Sequence, residues 1–227
     1  MGPRAIVMVA VWLASGLGQA ADNTPPPGFT LLFNGKDITG WKGLVGNPKT
    51  RAKMTPEALA AAEAKATERA RQHWKVVDGV LEYDGKATSL CTAKDYADFE
   101  LYVDWKIPPG GDSGIYLRGT PQVQIWDLNR RKEGSGGLFN NKKNPSKPLV
   151  CADNPIGEWN TFYIKMVGER VTVKLNGKLV VDNVVMENYW ERSKPIYPTG
   201  QIELQHHGSK LWFKNIYIKE LPVTEGK

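Results

Sequence analysis

Residues able to move protons and to grip hydroxyl groups concentrate in two short stretches of the 227-residue chain. In residues 201–208, QIELQHHG, the positions Ile202, Leu204 and His206 alternate with Gln201, Glu203, Gln205 and His207. Successive side chains of a strand point to opposite faces, so the second set projects a carboxylate, two amides and an imidazole together. An imidazole exchanges protons near neutral pH, which makes His207 the first candidate for a general acid or base. Glu203 can share that role or bind a metal. His206 falls on the buried parity, where a backbone partner is expected for it. The second stretch is residues 112–127, DSGIYLRGTPQVQIWD, read as two strands joined across Gly119 and Pro121. Ile115, Leu117, Val123 and Ile125 share one face; Tyr116, Arg118, Gln122, Gln124 and Trp126 share the other. Amides and a guanidinium hydrogen-bond hydroxyls or a carbonyl, and aromatic rings cover the apolar faces of a pyranose. A sugar is the ligand that such a surface suits.

Elements of the right kind surround these stretches. Residues 99–107 alternate Phe99, Leu101, Val103, Trp105 and Ile107 with Glu100, Tyr102, Asp104 and Lys106, a half-buried strand whose polar face makes Asp104 a candidate substrate contact. Asp78-Gly79 and Asn176-Gly177 mark two-residue hairpins. Thr55-Pro56-Glu57 carries a capping hydroxyl, a first-position proline and a first-turn acid, predicting one surface helix over residues 56–72, inserted against the sheets. Residues 132–144, KEGSGGLFNNKKN, lack the lysine and hydroxyl of a phosphate loop and read as a flexible rim over a groove, with Gly136, Gly137 and Asn140 near substrate. In residues 184–195 the aromatic pair Tyr189 and Trp190 either reaches the groove or seals the core, and sealing is the expectation. Glu82 and Asp84 form an E-x-D pair of the type found in some glycosidases, but the third carboxylate would fall at Ala87 and the motif fails.

Length and charge narrow the class. A chain of this length holds one sizeable all-β domain. Its formal net charge of +6 is spread along the sequence, which excludes a nucleic-acid footprint. Arg4, an apolar run over residues 5–17 and small residues at Gly18 and Ala20 predict a signal peptide over residues 1–21, leaving 22–227 as the mature domain. The run is short for a stable membrane span, so a periplasmic or extracellular location is expected. Cys91 and Cys151 are compatible with one disulfide or with two buried free thiols.

Several segments together resemble one family: FTLLFNGKDITGWKG (29–43), WKVVDGVLEY (74–83), DFELYVDWKI (98–107), residues 112–127, GEWNTFYIK (157–165), KLNGK (174–178), QIELQHHG (201–208) and FKNIYIKEL (213–221). Their order is similar to that of the 3-keto-disaccharide hydrolases, formerly a domain of unknown function. The resemblance implies a concanavalin-like, two-sheet antiparallel jelly-roll sandwich acting on 3-keto glycosides. A ketone at C3 acidifies the C2 proton; its removal gives an enolate that expels the C1 substituent, and water then adds. On that reading His207 and Glu203 supply acid and base, Arg118 neutralises the enolate, and Asp104, Tyr116, Gln122, Gln124, Trp126 and Gln205 bind substrate. Many members carry Glu where this chain has Gln122, so an acid or base expected there is missing. A divalent ion is compatible with the chemistry if His207, Glu203 and Asp104 converge, although no tight ligand spacing marks one. The alternative is a non-catalytic exported glycan-binding module using the same groove. An exposed apolar patch would be required for a purely structural partner domain, and the alternating strands give it little support.

Overall fold

The computed structural model describes residues 22–222, and the leader expected over residues 1–21 lies outside them. In chain order the elements are β1 (Thr30–Leu31), β2 (Trp41–Gly43), α1 (Pro48–Arg51), α2 (Pro56–His73), β3 (Trp74–Val77), β4 (Val80–Tyr83), β5 (Leu90–Thr92), β6 (Phe99–Lys106), β7 (Asp112–Leu117), β8 (Thr120–Trp126), β9 (Asn160–Val167), β10 (Arg170–Leu175), β11 (Lys178–Val185), β12 (Glu203–Leu204) and β13 (Leu211–Glu220). They form two antiparallel sheets. One runs β11-β10-β9-β6-β13-β4-β3, with β1 also paired to β13, and the other runs β2-β5-β12-β7-β8.

Alternation explains how the sheets pack. On β6 the residues Phe99, Leu101, Val103 and Trp105 are buried, and they meet Ile115, Leu117, Val123, Ile125, Ile202 and Leu204 of the facing sheet. Full burial of each such side chain is worth roughly 1.5–3 kcal/mol, so the core fixes which side of each strand looks outward. The two-residue turns form as expected: Val77 pairs with Val80 and Leu175 with Lys178, with Asp78, Gly79, Asn176 and Gly177 all at positive φ.

The predicted helix is present one residue longer. Thr55 accepts from the Ala58 N–H at 3.2 Å, Pro56 opens the helix, and Arg71 and His73 lie in its last turn. It packs against β2 at the edge of the five-stranded sheet. Gly43 permits this contact, because a Cβ there would stand 2.3 Å from the backbone of Ala66. The single turn α1, capped by Asn47 with Thr50, was not anticipated. Among the described residues no helix is long and apolar enough to cross a membrane. Both cysteines are free thiols, Cys91 buried and Cys151 exposed, so neither the disulfide nor a pair of buried thiols is formed.

Candidate active site

A cavity of about 340 Å³ opens on the outer face of the five-stranded sheet, where β7, β8 and the chain leaving β12 lie side by side. Its size is at the low end of small-molecule pockets. Strand parity places Tyr116, Gln122, Gln124 and Gln205 on its floor, as the sequence predicts. Trp126 adds a wall. The Gly-rich segment after β8 is not a loose rim: Gly136 N donates to Gln124 O at 2.7 Å and Gln124 N donates to Gly137 O at 3.0 Å, so it runs along the free edge of β8. Only glycine fits at 137, where a Cβ would meet Ser146 O at 2.5 Å. Asn140 beyond it does reach the cavity, beside Phe139.

The polar side chains form a connected chain. Gln122 Nε2 donates to Gln124 Oε1, and Gln124 Nε2 donates to Asp112 Oδ1 at 2.9 Å. The other Asp112 oxygen, Oδ2, lies 3.5 Å from His207 Nδ1 at the cavity mouth, where the imidazole is 60% exposed. A carboxylate on that side favours the proton on Nδ1 and leaves Nε2 free to act as a base. Gln205 Nε2 donates to the Tyr116 hydroxyl at 3.3 Å, while Gln205 Oε1 is buried with no hydrogen-bond partner among the described residues. A buried acceptor left unpaired costs on the order of 1–3 kcal/mol. Burial, and then Glu203, hold the Tyr116 phenol well above its ordinary range, so it stays a donor.

Glu203 pairs in register with Tyr116 on one side and Cys91 on the other. The residue is 2% exposed, and burial pushes its carboxyl up to about 8 against the opposing effect of Arg51, whose guanidinium is 4.0 Å away. It is therefore a neutral acid at neutral pH, seated beside the cavity rather than on its lining. Burial likewise raises the Cys91 thiol to about 12 and makes it inert.

Two expected site residues lie elsewhere. Arg118 has φ of 52° and follows a register shift in β7, which takes it out of the alternation. Its guanidinium donates to Asp98 Oδ1 at 2.5 Å, Ala97 O at 2.7 Å and Tyr197 O at 3.3 Å, away from His207. Asp104 is on the outer face of the other sheet, accepting from Thr161 Oγ1 at 2.6 Å and Asn215 Nδ2 at 2.8 Å. His207, Glu203 and Asp104 consequently cannot share a metal ion. Among the described residues no three His, Cys, Asp or Glu side chains converge on one point. His206 is exposed rather than buried; its backbone N–H donates to Ser89 Oγ at 3.0 Å, and its ring stands edge-on to Tyr83.

Other residues enter that the sequence reading did not place in the site. Tyr189 and Trp190, expected in the core, line the cavity, and the Trp190 indole donates to Gly119 O at 2.7 Å. Their segment has no strand alternation from which a direction could be read. Arg131 lies over the Trp126 ring at 5.0 Å and puts a cation at the cavity. Asp112 could have been found, since it shares parity with Tyr116.

The fold agrees with the comparisons with known proteins. Residues 28–219 match the 3-keto-alpha-glucoside-1,2-lyase-like domain. The chain belongs to that family. A 3-keto-disaccharide hydrolase of Bacteroides thetaiotaomicron is 23% identical over 249 residues, spanning 86% of this chain and 79% of that protein. Two solved structures from Parabacteroides distasonis ATCC 8503, each described as a candidate glycosyl hydrolase, are also similar. One is 29% identical with a TM-score of 0.61, covering 86% of this chain and 95% of its own. The other is 25% identical with a TM-score of 0.62, covering 86% and 85%.

The wall bearing Tyr189 is held by Glu187. Burial raises its carboxyl, but the N–H groups of Asn144, Lys142 and Lys143 and the Asn144 amide outweigh that and bring it down to about 2. Because the folded value is depressed, the stabilisation is complete above pH 4.5 and is lost as pH falls toward 2. With solvent screening it amounts to on the order of 2 kcal/mol. Thermal melts from pH 6 to pH 2.5 should therefore show a steeper loss for the wild type than for Glu187→Gln, which lacks this titration. Parallel curves would show that Glu187 does not hold the wall.

Proposed function

We propose that the chain is a carbohydrate-acting enzyme that cleaves 3-keto glycosides by acid–base chemistry at C2 and C1. The observation carrying this reading is the Gln122–Gln124–Asp112–His207 chain ending at an open cavity lined by Tyr116 and Gln205. Family membership and the name of the Bacteroides relative support the substrate class.

His207 Nε2 takes the C2 proton, and the C–H electron pair moves into the C2–C3 bond while the C3 oxygen becomes an enolate. Tyr116 as a neutral donor and Arg131 as a cation are the groups at the cavity that would stabilise that oxygen. Return of the electrons forms C1=C2 and breaks the C1–O bond, and the imidazolium gives its proton to the leaving oxygen. Water adding across C1=C2 completes a net hydrolysis. Gln122 here serves as a hydrogen-bonding member of the chain rather than as an acid. The leader pattern of residues 1–21 supports a location outside the cytoplasm.

Incubation with methyl 3-keto-glucoside, several 3-keto disaccharides and their unoxidised parents tests the reading. Products should form from the keto sugars alone, with solvent deuterium entering C2 when elimination reverses. Binding of the keto sugars without cleavage or exchange would instead make this a glycan-binding module.

A further inference from the structure

The same outer face of the five-stranded sheet carries a second cavity, of about 730 Å³, beside the one already described. The inserted helical segment makes one wall: Arg51 and Ala52 belong to α1 and its C-terminal cap, and Leu59 to α2. Tyr197 and Pro198 stand on another side. Gln201 lines it from the stretch leading into β12 and is only 7% exposed. Its Oε1 is buried and has no hydrogen-bond partner among the described residues. An unpartnered buried amide oxygen on a side chain that lines a cavity calls for a donor.

Arg51 supplies the complementary group. One of its nitrogens, Nη1, donates to Val45 O at 2.9 Å, whereas Nη2 makes no hydrogen bond among the described residues and has Glu203 at 4.0 Å, beyond hydrogen-bond reach. The other cations on the lining are matched, Lys42 with Glu63 at 2.6 Å and Arg118 with Asp98. A free acceptor, a free guanidinium donor and apolar rings and methyls in one cavity fit a neutral ring bearing hydroxyls. We propose that this cavity is an accessory site for an unoxidised sugar, separate from the site of bond cleavage.

Geometry separates the two. Gln201 and Gln205 are four residues apart in extended chain, roughly 13 Å. Between the cavities runs a ridge in which Pro48 packs on Gly119, 2.9 Å from where a Cβ would be, and Trp190 bonds to Gly119 O. A sugar held at Gln201 is thus not the one whose C2 faces His207.

The test titrates the full chain with maltose, cellobiose, trehalose and sucrose, by calorimetry and saturation-transfer NMR, alongside turnover of methyl 3-keto-glucoside. At least one sugar should bind the wild type with millimolar Kd. Gln201→Leu, and Ala52→Trp at the exposed mouth, should each raise that Kd tenfold or more with turnover unchanged. No binding by the wild type overturns the proposal, as does binding that neither substitution alters. So does joint loss of binding and turnover in folded variants, which would merge the cavities into one site. If Gln201→Leu fails to fold, Ala52→Trp decides alone. Should the wild type turn over no keto sugar, the titrations still decide this proposal, and the failure belongs to the reaction assigned above.

Discussion

His207→Ala should lower kcat on 3-keto glycosides by on the order of a hundredfold or more while leaving KM within a few fold. That split distinguishes proton transfer from simple contact, because a residue that only holds substrate in the ground state raises KM and spares kcat. The geometry favours the first outcome: the imidazole is exposed at the mouth of the cavity and has a carboxylate 3.5 Å behind Nδ1. Asp112→Asn should follow in the same direction with a smaller loss, since it removes the charge that favours the Nδ1–H tautomer without removing the base. A raised KM with unchanged kcat in His207→Ala would assign the proton to another group.

Arg118→Met should cost about 3–5 kcal/mol of stability, because it leaves the buried Asp98 carboxylate without its cation. At about 2–4 °C per kcal/mol for a chain of this size, Tm falls by on the order of 10 °C. The contacts say why the effect is large. Asp98 precedes β6 and also accepts from Gly168 N at 2.9 Å, while Arg118 sits at the β7–β8 turn and reaches Tyr197 O. One ion pair therefore ties the start of an inner strand of one sheet to the turn after an inner strand of the other. Replacing both partners, Arg118→Met with Asp98→Leu, should recover much of the loss. Thermal melts and kcat at a temperature where each variant stays folded check this. A wild-type Tm with a collapsed kcat would return Arg118 to the chemistry.

These two residues also mark how far the sequence could be read. Alternation predicted the faces of β6, β7 and β8 and placed Tyr116, Gln122, Gln124, Trp126 and Gln205 around one cavity, since period two survives wherever pairing is regular. It misplaced Arg118 because a register shift and a positive φ interrupt the period there. Asp104 was misassigned for a different reason: parity tells inward from outward on a strand, but not which of two sheets the strand joins. Tyr189, Trp190 and Arg131 lie in connections whose directions are set by single contacts, such as the Trp190 indole on Gly119 O, and no periodic signal announces those. The helix was legible from its cap and first turn; the cavity it walls depends on the Gly43–Ala66 approach and was not.

The position of β12 has a consequence for how the protein reaches this state. Its two residues sit between β5 and β7, although more than a hundred residues of chain separate β5 from β12, and β13 similarly closes on β1, β4 and β6. Until residues 203–204 arrive, β5 and β7 present open hydrogen-bonding edges with Leu90 and Ile115 uncovered, which is the template for association with other chains. The face that carries the cavity is thus a product of the last long-range closures, expected to form slowly and only after most of the polypeptide is made. A ribosome-bound fragment ending before residue 200 would hold Tyr116, Gln122 and Gln124 but lack Gln205 and His207, and the edges of β5 and β7 that β12 later joins would stay unpaired.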